Sequence, residues 1–441
     1  MDELQKNDII ETEITSLGIN GEGVCRYDGK TIFVRGALPG ERVRAKIILV
    51  KPTFNIAILE RVISHSPYRV VPPCPIFGKC GGCDLQHLDY SRQLDFKREL
   101  VRDTLKKIAR IDCDVESVGY DKPYRYRNKF SLPVRRVGGR TQIGFFAKSS
   151  HRVVETPDCV IQYAWGKHLI ALLNDFMEQN GISAYDEENH RGVVRHLVAR
   201  EIRGKVFVTL VVTKFIDCSA FYSSLCALFT RPVLYQNLNR EKNNVILSDE
   251  WRLCGGDESP VSVDGLSFFL HPAGFYQVND AVREKMYDFV CSLLSGSYAI
   301  EAYSGAGLLS ARLAKHAKRV YGIEINEQAH LSAVALCKTN GIENFTPVLG
   351  DVTQKLPEVL SRCDGETFIV LDPPRTGIPE SASATLASSG AKNIVYISCN
   401  PATLARDLER ICKGGYTVSR VKPYDMFPQT CNVETVVLLT R

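Results

Sequence analysis

From about residue 261 the chain alternates short apolar runs with helix-like stretches, a pattern that few folds satisfy. Phe268-Phe269-Leu270 and then Phe275 to Asn279 lead into a helix expected over 281–294. Strands are expected at 298–302, 320–323, 346–349, 368–371 and 393–397, with a closing pair near 418–421 and 433–439. Each of the first five runs ends at a chemically distinctive residue: Tyr303, Glu324, Asp351, Asp372 and Cys399. Ligands of open α/β sheets bind beyond the carboxyl ends of the strands. The expectation is a Rossmann-like α/β domain over 261–441 with its cleft at those five positions.

The turn Tyr303-Ser304-Gly305-Ala306-Gly307 would let a ligand approach the backbone at Gly305 and Gly307. An acid about 20 residues on, here Glu324, is placed to take ribose hydroxyls. Asp351 would meet an adenine edge. The run Gly305-Ala306-Gly307-Leu308-Leu309-Ser310 matches the dinucleotide pattern only in part, since serine stands at its last position. With Asp372-Pro373-Pro374 after the fourth strand, a nucleoside cofactor such as S-adenosylmethionine fits better than NAD. Cys399, in Ile397-Ser398-Cys399-Asn400-Pro401, is by itself consistent with a packed thiol. Its register with Glu324 and Asp372 makes it a candidate nucleophile, and Glu434 in the last apolar run a candidate base.

The upstream half has a different texture. Residues 1–62 hold short alternating segments separated by Asn20-Gly21, Asp28-Gly29 and Leu38-Pro39-Gly40, which reads as a five-stranded OB-like β-barrel. Residues 63–260 read as a central α+β domain. It opens on Cys74, Cys80 and Cys83, three thiols within ten residues, with glycines that allow a tight turn. Soft ligands gathered in this way suit a zinc or iron–sulfur site, with Cys159 as the fourth ligand. A helix is expected over 93–109, and Tyr235 to Asn239 is polar enough to be a cleft loop. Tyr124-Arg125-Tyr126-Arg127-Asn128-Lys129 alternates aromatic and cationic residues, as suits RNA contact or a half-solvated edge strand.

Of the 441 residues 44% are hydrophobic and 24% charged, so the chain is globular and has room for two to four domains. It has no apolar run of about 18 residues and begins with the polar Asp2 and Glu3, so a cytoplasmic protein without membrane contact is expected. Fifteen cysteines, an odd number spread along the chain, do not resemble a secreted disulfide framework. Net charge is only +5, so a nucleic-acid partner rests on local patches such as 92–140, with 14 Lys+Arg against 7 Asp+Glu. No repeat suggests an oligomer, and a monomer is expected.

Two resemblances sharpen these expectations. The segments Gly18 to Gly23 and Phe33 to Glu41 resemble the TRAM domain of RNA-modifying enzymes, which implies RNA binding. Gln277-Val278-Asn279, Tyr303 to Gly307, Asp372 to Gly377, Tyr396 to Pro401 and Asp425-Met426-Phe427-Pro428-Gln429-Thr430 resemble the RNA (uracil-5-)-methyltransferase family. That resemblance implies S-adenosylmethionine as methyl donor, Cys399 as nucleophile and Glu434 as base. It also implies cofactor contacts from Gln277, Tyr303, Glu324 and Asp372. The cysteine run resembles that of members with a 4Fe–4S cluster, Cys159 matching the fourth ligand. Because the transfer-RNA members usually lack TRAM, the resemblance points to 23S ribosomal RNA as target, with transfer RNA the alternative. The chain departs from the family at Ser304, where cysteine is usual, and at Asn432, where histidine is usual. An amino-methyltransferase using Asp-Pro-Pro, or an RNA-binding factor without activity, are the rival readings.

Overall fold

The computed structural model describes residues 4–116, 119 and 122–441; the acidic start at Asp2 and Glu3 lies outside them. Strands Ile9–Glu13, Ser16–Leu17, Gly23–Tyr27, Lys30–Arg35, Arg42–Val50 and Phe54–Ser64 form one sheet. Alternate residues of these strands, among them Ile10, Ile32, Val34, Val43, Ala45 and Ile47, make a single small core. Bulges between the two longest strands let the sheet coil over it. The sheet has six strands rather than five because the two-residue Ser16–Leu17 pairs with Gly23 and Val24.

The middle of the chain is a seven-stranded sheet with Val194–Ile202 at its centre and Lys129–Val137 beside it. Helices Gly166–Gln179 and Ser219–Leu228 pack one face of it. Tyr235 to Asn239 is not a loop: it belongs largely to strand Arg231–Leu238, with buried amides. Gln236 Nε2 donates to the Ile216 carbonyl at 2.9 Å and Asn237 Nδ2 to that of Ser248 at 2.9 Å. Polar residues sit inside this sheet because they bind neighbouring loops, satisfying backbone groups that would otherwise be buried alone.

The C-terminal sheet is built from β1 (Tyr298–Ala302), β2 (Arg319–Glu324), β3 (Phe345–Leu349), β4 (Thr367–Leu371), β5 (Asn393–Ser398), β6 (Thr417–Tyr424) and β7 (Glu434–Thr440). Their spatial order is β3-β2-β1-β4-β5-β7-β6, with β7 antiparallel to both its neighbours. Neighbouring residues alternate between two apolar layers: Ala299, Val395 and Val436 face one, Ile300, Ile394 and Val437 the other. Helix Tyr90–Thr104 and a π turn over Leu105–Ala109 replace the single helix expected at 93–109; Val101 and Leu105 join the second layer. Val115 then bridges Val421 and covers the edge at β6.

The units meet at Asp425 to Thr430. Lys97 forms a fully buried ion pair with Asp425 and donates to the Phe427 carbonyl at 3.0 Å. Losing one partner of such a pair costs about 3–5 kcal/mol, because the other charge stays buried. The Tyr126 hydroxyl donates to the Pro428 carbonyl at 3.0 Å, and the Asn128 backbone N–H to that of Val278 at 2.9 Å. Tyr126 and Asn128 of the alternating stretch therefore form a seam between the middle and C-terminal sheets, while Tyr124, Arg125, Arg127 and Lys129 stay partly exposed. No described helix is long and apolar enough to cross a membrane.

Candidate active site

Strand register sets the site. Ala302 pairs with Ile323 on one side and Leu371 on the other, so the next residues, Tyr303, Glu324 and Asp372, end level. Ser398 pairs with Thr435, which sets Cys399 and Glu434 opposite each other one step further along β5 and β7. A thiol and three carboxylates thus share one end of the sheet.

Each corner has a local cause. Tyr303 takes a positive φ of 66°, a costly conformation for a non-glycine residue, and Gly307 follows at 79°. A Cβ on Gly307 would stand 2.8 Å from Phe345, so only glycine lets the turn close here. The Gly305 N–H donates to Glu324 Oε2 at 2.8 Å and the Asn326 N–H to Oε1 at 2.7 Å, which fixes that carboxylate against the glycine turn. Gly305, Ala306, Glu324 and Asn326 line a polar cleft of about 780 Å³ whose far wall is Trp251, His271 and Phe275. Asp351 caps helix Val352–Leu360 by accepting from the Thr353 N–H at 2.7 Å, so part of the carboxylate expected to read adenine is used within the fold. Gln277 is buried, its carbonyl bound to Asn128 Nδ2 at 3.0 Å.

Cys399 directly precedes Asn400, whose side chain caps helix Pro401–Cys412. Burial and then the Glu434 charge push the Cys399 thiol up to about 11, while Arg375 pulls it down. The amide groups at the helix start favour thiolate as well. Burial also pushes Asp372 up to about 7, although the residue keeps a narrow opening to solvent. Glu434 is held well above the usual carboxylate range, first by burial and then by Asp372, with Arg375 opposing. Arg375 Nη2 donates to Asn432 Oδ1 at 3.0 Å, and its carbonyl accepts from Asn400 Nδ2 at 3.3 Å and Thr403 Oγ1 at 3.2 Å. Asn432, the departure from the family pattern, thus holds the cation whose charge lowers both Cys399 and Glu434.

Glu301 was not singled out in the sequence. It is buried in β1, pushed up to about 8 by burial, and accepts a hydrogen bond from Ser310. The unusual serine ending the glycine turn is therefore the partner of this acid. The signal was a carboxylate inside the apolar run Tyr298–Ala302.

Cys74, Cys80, Cys83 and Cys159 line one cavity of about 150 Å³ with Phe77 and Ile161. Burial, and secondarily the neighbouring thiols, push Cys80 up to about 11 and Cys83 up to about 12. Among the described residues, however, no three His, Cys, Asp or Glu side chains are placed to hold a metal ion. The expected 4Fe–4S site, with zinc as the runner-up, is therefore not established by the structure.

A Rossmann-like sheet of this order, with a glycine turn and level acids, defines an S-adenosylmethionine-dependent methyltransferase of class α/β. The model for the tRNA (Uracil-5-)-methyltransferase family matches residues 89–441, and that for the TRAM domain residues 3–59. The chain belongs to this family of S-adenosylmethionine-dependent RNA (uracil-5-)-methyltransferases. An RNA methyltransferase of Clostridium tetani is 37% identical over 99% of this chain and 97% of its own, and one of Listeria innocua is 36% identical over 99% and 98%. The tRNA (uracil-54, C5)-methyltransferase of Pyrococcus abyssi, solved with S-adenosyl-L-homocysteine, superposes with a TM-score of 0.80 at 26% identity. It covers 98% of this chain and 99% of its own.

That superposition corrects the expected affinity to cluster-bearing 23S ribosomal-RNA enzymes. A match over 98% of the chain includes the N-terminal sheet, so a transfer-RNA enzyme carries its counterpart. The presence of TRAM therefore does not select ribosomal RNA.

Proposed function

We propose that this enzyme methylates C5 of a uridine in transfer RNA, with Cys399 as nucleophile and Glu434 as base. The observation that carries the roles is the register that sets Cys399 opposite Glu434, with Asp372 near both. The Pyrococcus abyssi enzyme supports transfer RNA as the target. C5 of uracil is a weak nucleophile. Cys399 Sγ adds to C6, and the electrons of the C5–C6 double bond move to C5 and O4 as an enolate. Arg375 and the amides at the start of helix Pro401–Cys412 steady that charge. S-adenosylmethionine, when bound, supplies an electrophilic methyl group. Gly305, Gly307, Tyr303, Glu324, Asp351 and Gln277 would hold it, and Asp372, close to Cys399 and Glu434, would help position it and the uracil. C5 attacks that methyl carbon as the carbon–sulfonium bond breaks and its electron pair stays on sulfur, leaving S-adenosylhomocysteine; the Glu434 carboxylate then takes the C5 proton. The released electron pair reforms the double bond and expels the Cys399 thiolate. The uridine must leave its stack to reach this pocket.

The proposal divides the chain into 1–62 and 63–260, which grip RNA, and 261–441, which performs the chemistry. It takes the enzyme as a cytoplasmic monomer, because one chain supplies every group the reaction uses. The four cysteines serve no step of it. The grouping of all four around one cavity of about 150 Å³ supports a 4Fe–4S cluster, with zinc the alternative, as the group they would hold, since such a cluster takes one cysteine at each iron. Iron and acid-labile sulfide measured on anaerobically purified protein decide this; a full complement of neither removes the cluster from the reading.

Mapping 5-methyluridine in cells with and without the gene tests the target. Loss confined to transfer RNA is expected. Loss confined to ribosomal RNA overturns the transfer-RNA reading and leaves the chemistry standing.

A further inference from the structure

Glu434 opens β7 only four residues after Thr430, and the turn before it is held from outside the C-terminal sheet. Gln429 has a φ of 70°, a conformation that costs a non-glycine residue free energy and persists only where its surroundings enforce it. The enforcement is visible. The backbone N–H groups of Asp84 and Leu85, the two residues after Cys83, both donate to the Gln429 carbonyl at 3.0 Å. Gln93 Oε1 accepts from the Gln429 N–H at 3.2 Å, and Gln93 Nε2 donates to Gln429 Oε1 at 3.0 Å. The same Nε2 donates to the Leu85 and Leu88 carbonyls at 3.0 and 2.9 Å. Gln93 is 1% exposed and spends its whole amide joining the cysteine segment to this turn.

From the turn the order passes inward. Thr430 Oγ1 donates to the Phe427 carbonyl at 2.9 Å and accepts from the Asn432 N–H at 3.2 Å. Asn432 Oδ1 in turn holds Arg375 at 3.0 Å. Arg375 and Glu434 thus inherit their placement from contacts made by the segment beside the cysteine cavity.

We propose that Gln93 and Thr430 are positioning residues for proton removal, and that the segment after Cys83 acts in catalysis by locking the Gln429 turn. This rests on Glu434 being the base. A misplaced base slows the step that follows methyl transfer, so enzyme joined to already methylated RNA accumulates. General loosening of the protein would slow the earlier cysteine addition too and leave no such species.

The test uses the full chain with a uridine-containing RNA substrate and S-adenosylmethionine. It compares Gln93→Met, Thr430→Val and Glu434→Gln by single-turnover kinetics and denaturing gels. Gln93→Met and Thr430→Val are expected to lose about 10- to 100-fold in kcat, as a displacement near 1 Å would cause. The methylated adduct should accumulate, and the dissociation constant for S-adenosylmethionine should stay within about twofold of the parent value. Thr430→Val removes only a hydroxyl and carries the test if Gln93→Met does not fold. Parent-like turnover in the variants, or slowing without adduct, while Glu434→Gln traps adduct, overturns the positioning role alone. Absence of adduct in Glu434→Gln overturns the assignment of the base itself.

Discussion

Cys399 and three of the four cavity cysteines, Cys80, Cys83 and Cys159, are half-buried thiols pushed upward, Cys399 and Cys80 each to about 11 and Cys83 to about 12. What faces them differs. The four face one another, so ionising one raises the cost of ionising the next, and only a cation between them would relieve it. Cys399 faces carboxylates, a guanidinium and the start of a helix. Its repulsion comes from Glu434, and Glu434 is itself held above the usual range. Burial and Asp372 raise Glu434, and Arg375 lowers both it and Cys399, so the Cys399 thiol stands among groups of both signs. Four like groups give only a cavity that resists charge.

The comparison breaks most sharply at Cys399. Cys399→Ala should lose turnover on the order of 10⁴-fold or more and form no covalent complex with 5-fluorouridine RNA, since no neighbouring group can add to C6. Binding of S-adenosylmethionine by calorimetry should persist, because the glycine turn and Glu324 are untouched. Methylation of RNA by this variant would end the nucleophile reading.

Asp372 gives the next largest effect. Its carboxyl, raised to about 7 in the folded protein from the ordinary 3.8, is protonated over a range where the unfolded chain is not. The folded state then binds more protons, so this group's contribution to stability falls as pH rises from about 4 to about 7. If ionised Asp372 is needed, kcat/KM should rise about tenfold per pH unit up to about 7 and level off above. Asp372→Asn should lose about 10²-fold in kcat, flatten that limb of the profile and melt higher than the parent at neutral pH. A profile that keeps its limb near 7 assigns the titration to another group.

Much of this was legible because strand ends obey simple rules. An apolar run of period two stops at the edge of the core, and Tyr303, Glu324, Asp372 and Cys399 stand at such stops. Glu301 was not legible, for its partner Ser310 lies nine residues on, within helix Leu308–Leu313, whose packing no local pattern specifies. Tyr124 to Lys129 misled for a related reason. Alternation of aromatic and cationic residues suits an RNA surface, but here Tyr126 and Asn128 are buried against Pro428 and Val278, about 300 and 150 residues away. Gln236 and Asn237 misled in the same way, since polarity suggested a loop until distant carbonyls were found to satisfy them. The role of Asn432 needed Arg375, 57 residues upstream in sequence. Contacts between distant segments decide each of these cases, and a single sequence records such contacts only faintly.

The smallest effect completes the contrast from the other side. Cys159 is largely buried at the cavity wall, and its backbone carbonyl accepts from Arg125 at 2.8 Å, so Cys159→Ala keeps that backbone contact and removes only the thiol. In protein prepared without the cluster, the loss of packing should cost about 1–2 kcal/mol and lower the melting temperature by a few degrees. No step of the reaction uses this thiol, and Cys159 lies outside the Asp84–Leu85 contact with Gln429. Covalent complex formation with 5-fluorouridine RNA and the affinity for S-adenosylmethionine should both stay within about twofold of the parent. Cys399→Ala should do the reverse, sparing the melting temperature and abolishing the complex. If Cys159→Ala instead loses the complex while melting like the parent, the two thiol sites are not separate in function, and the cavity acts on the reaction through more than the turn at Gln429.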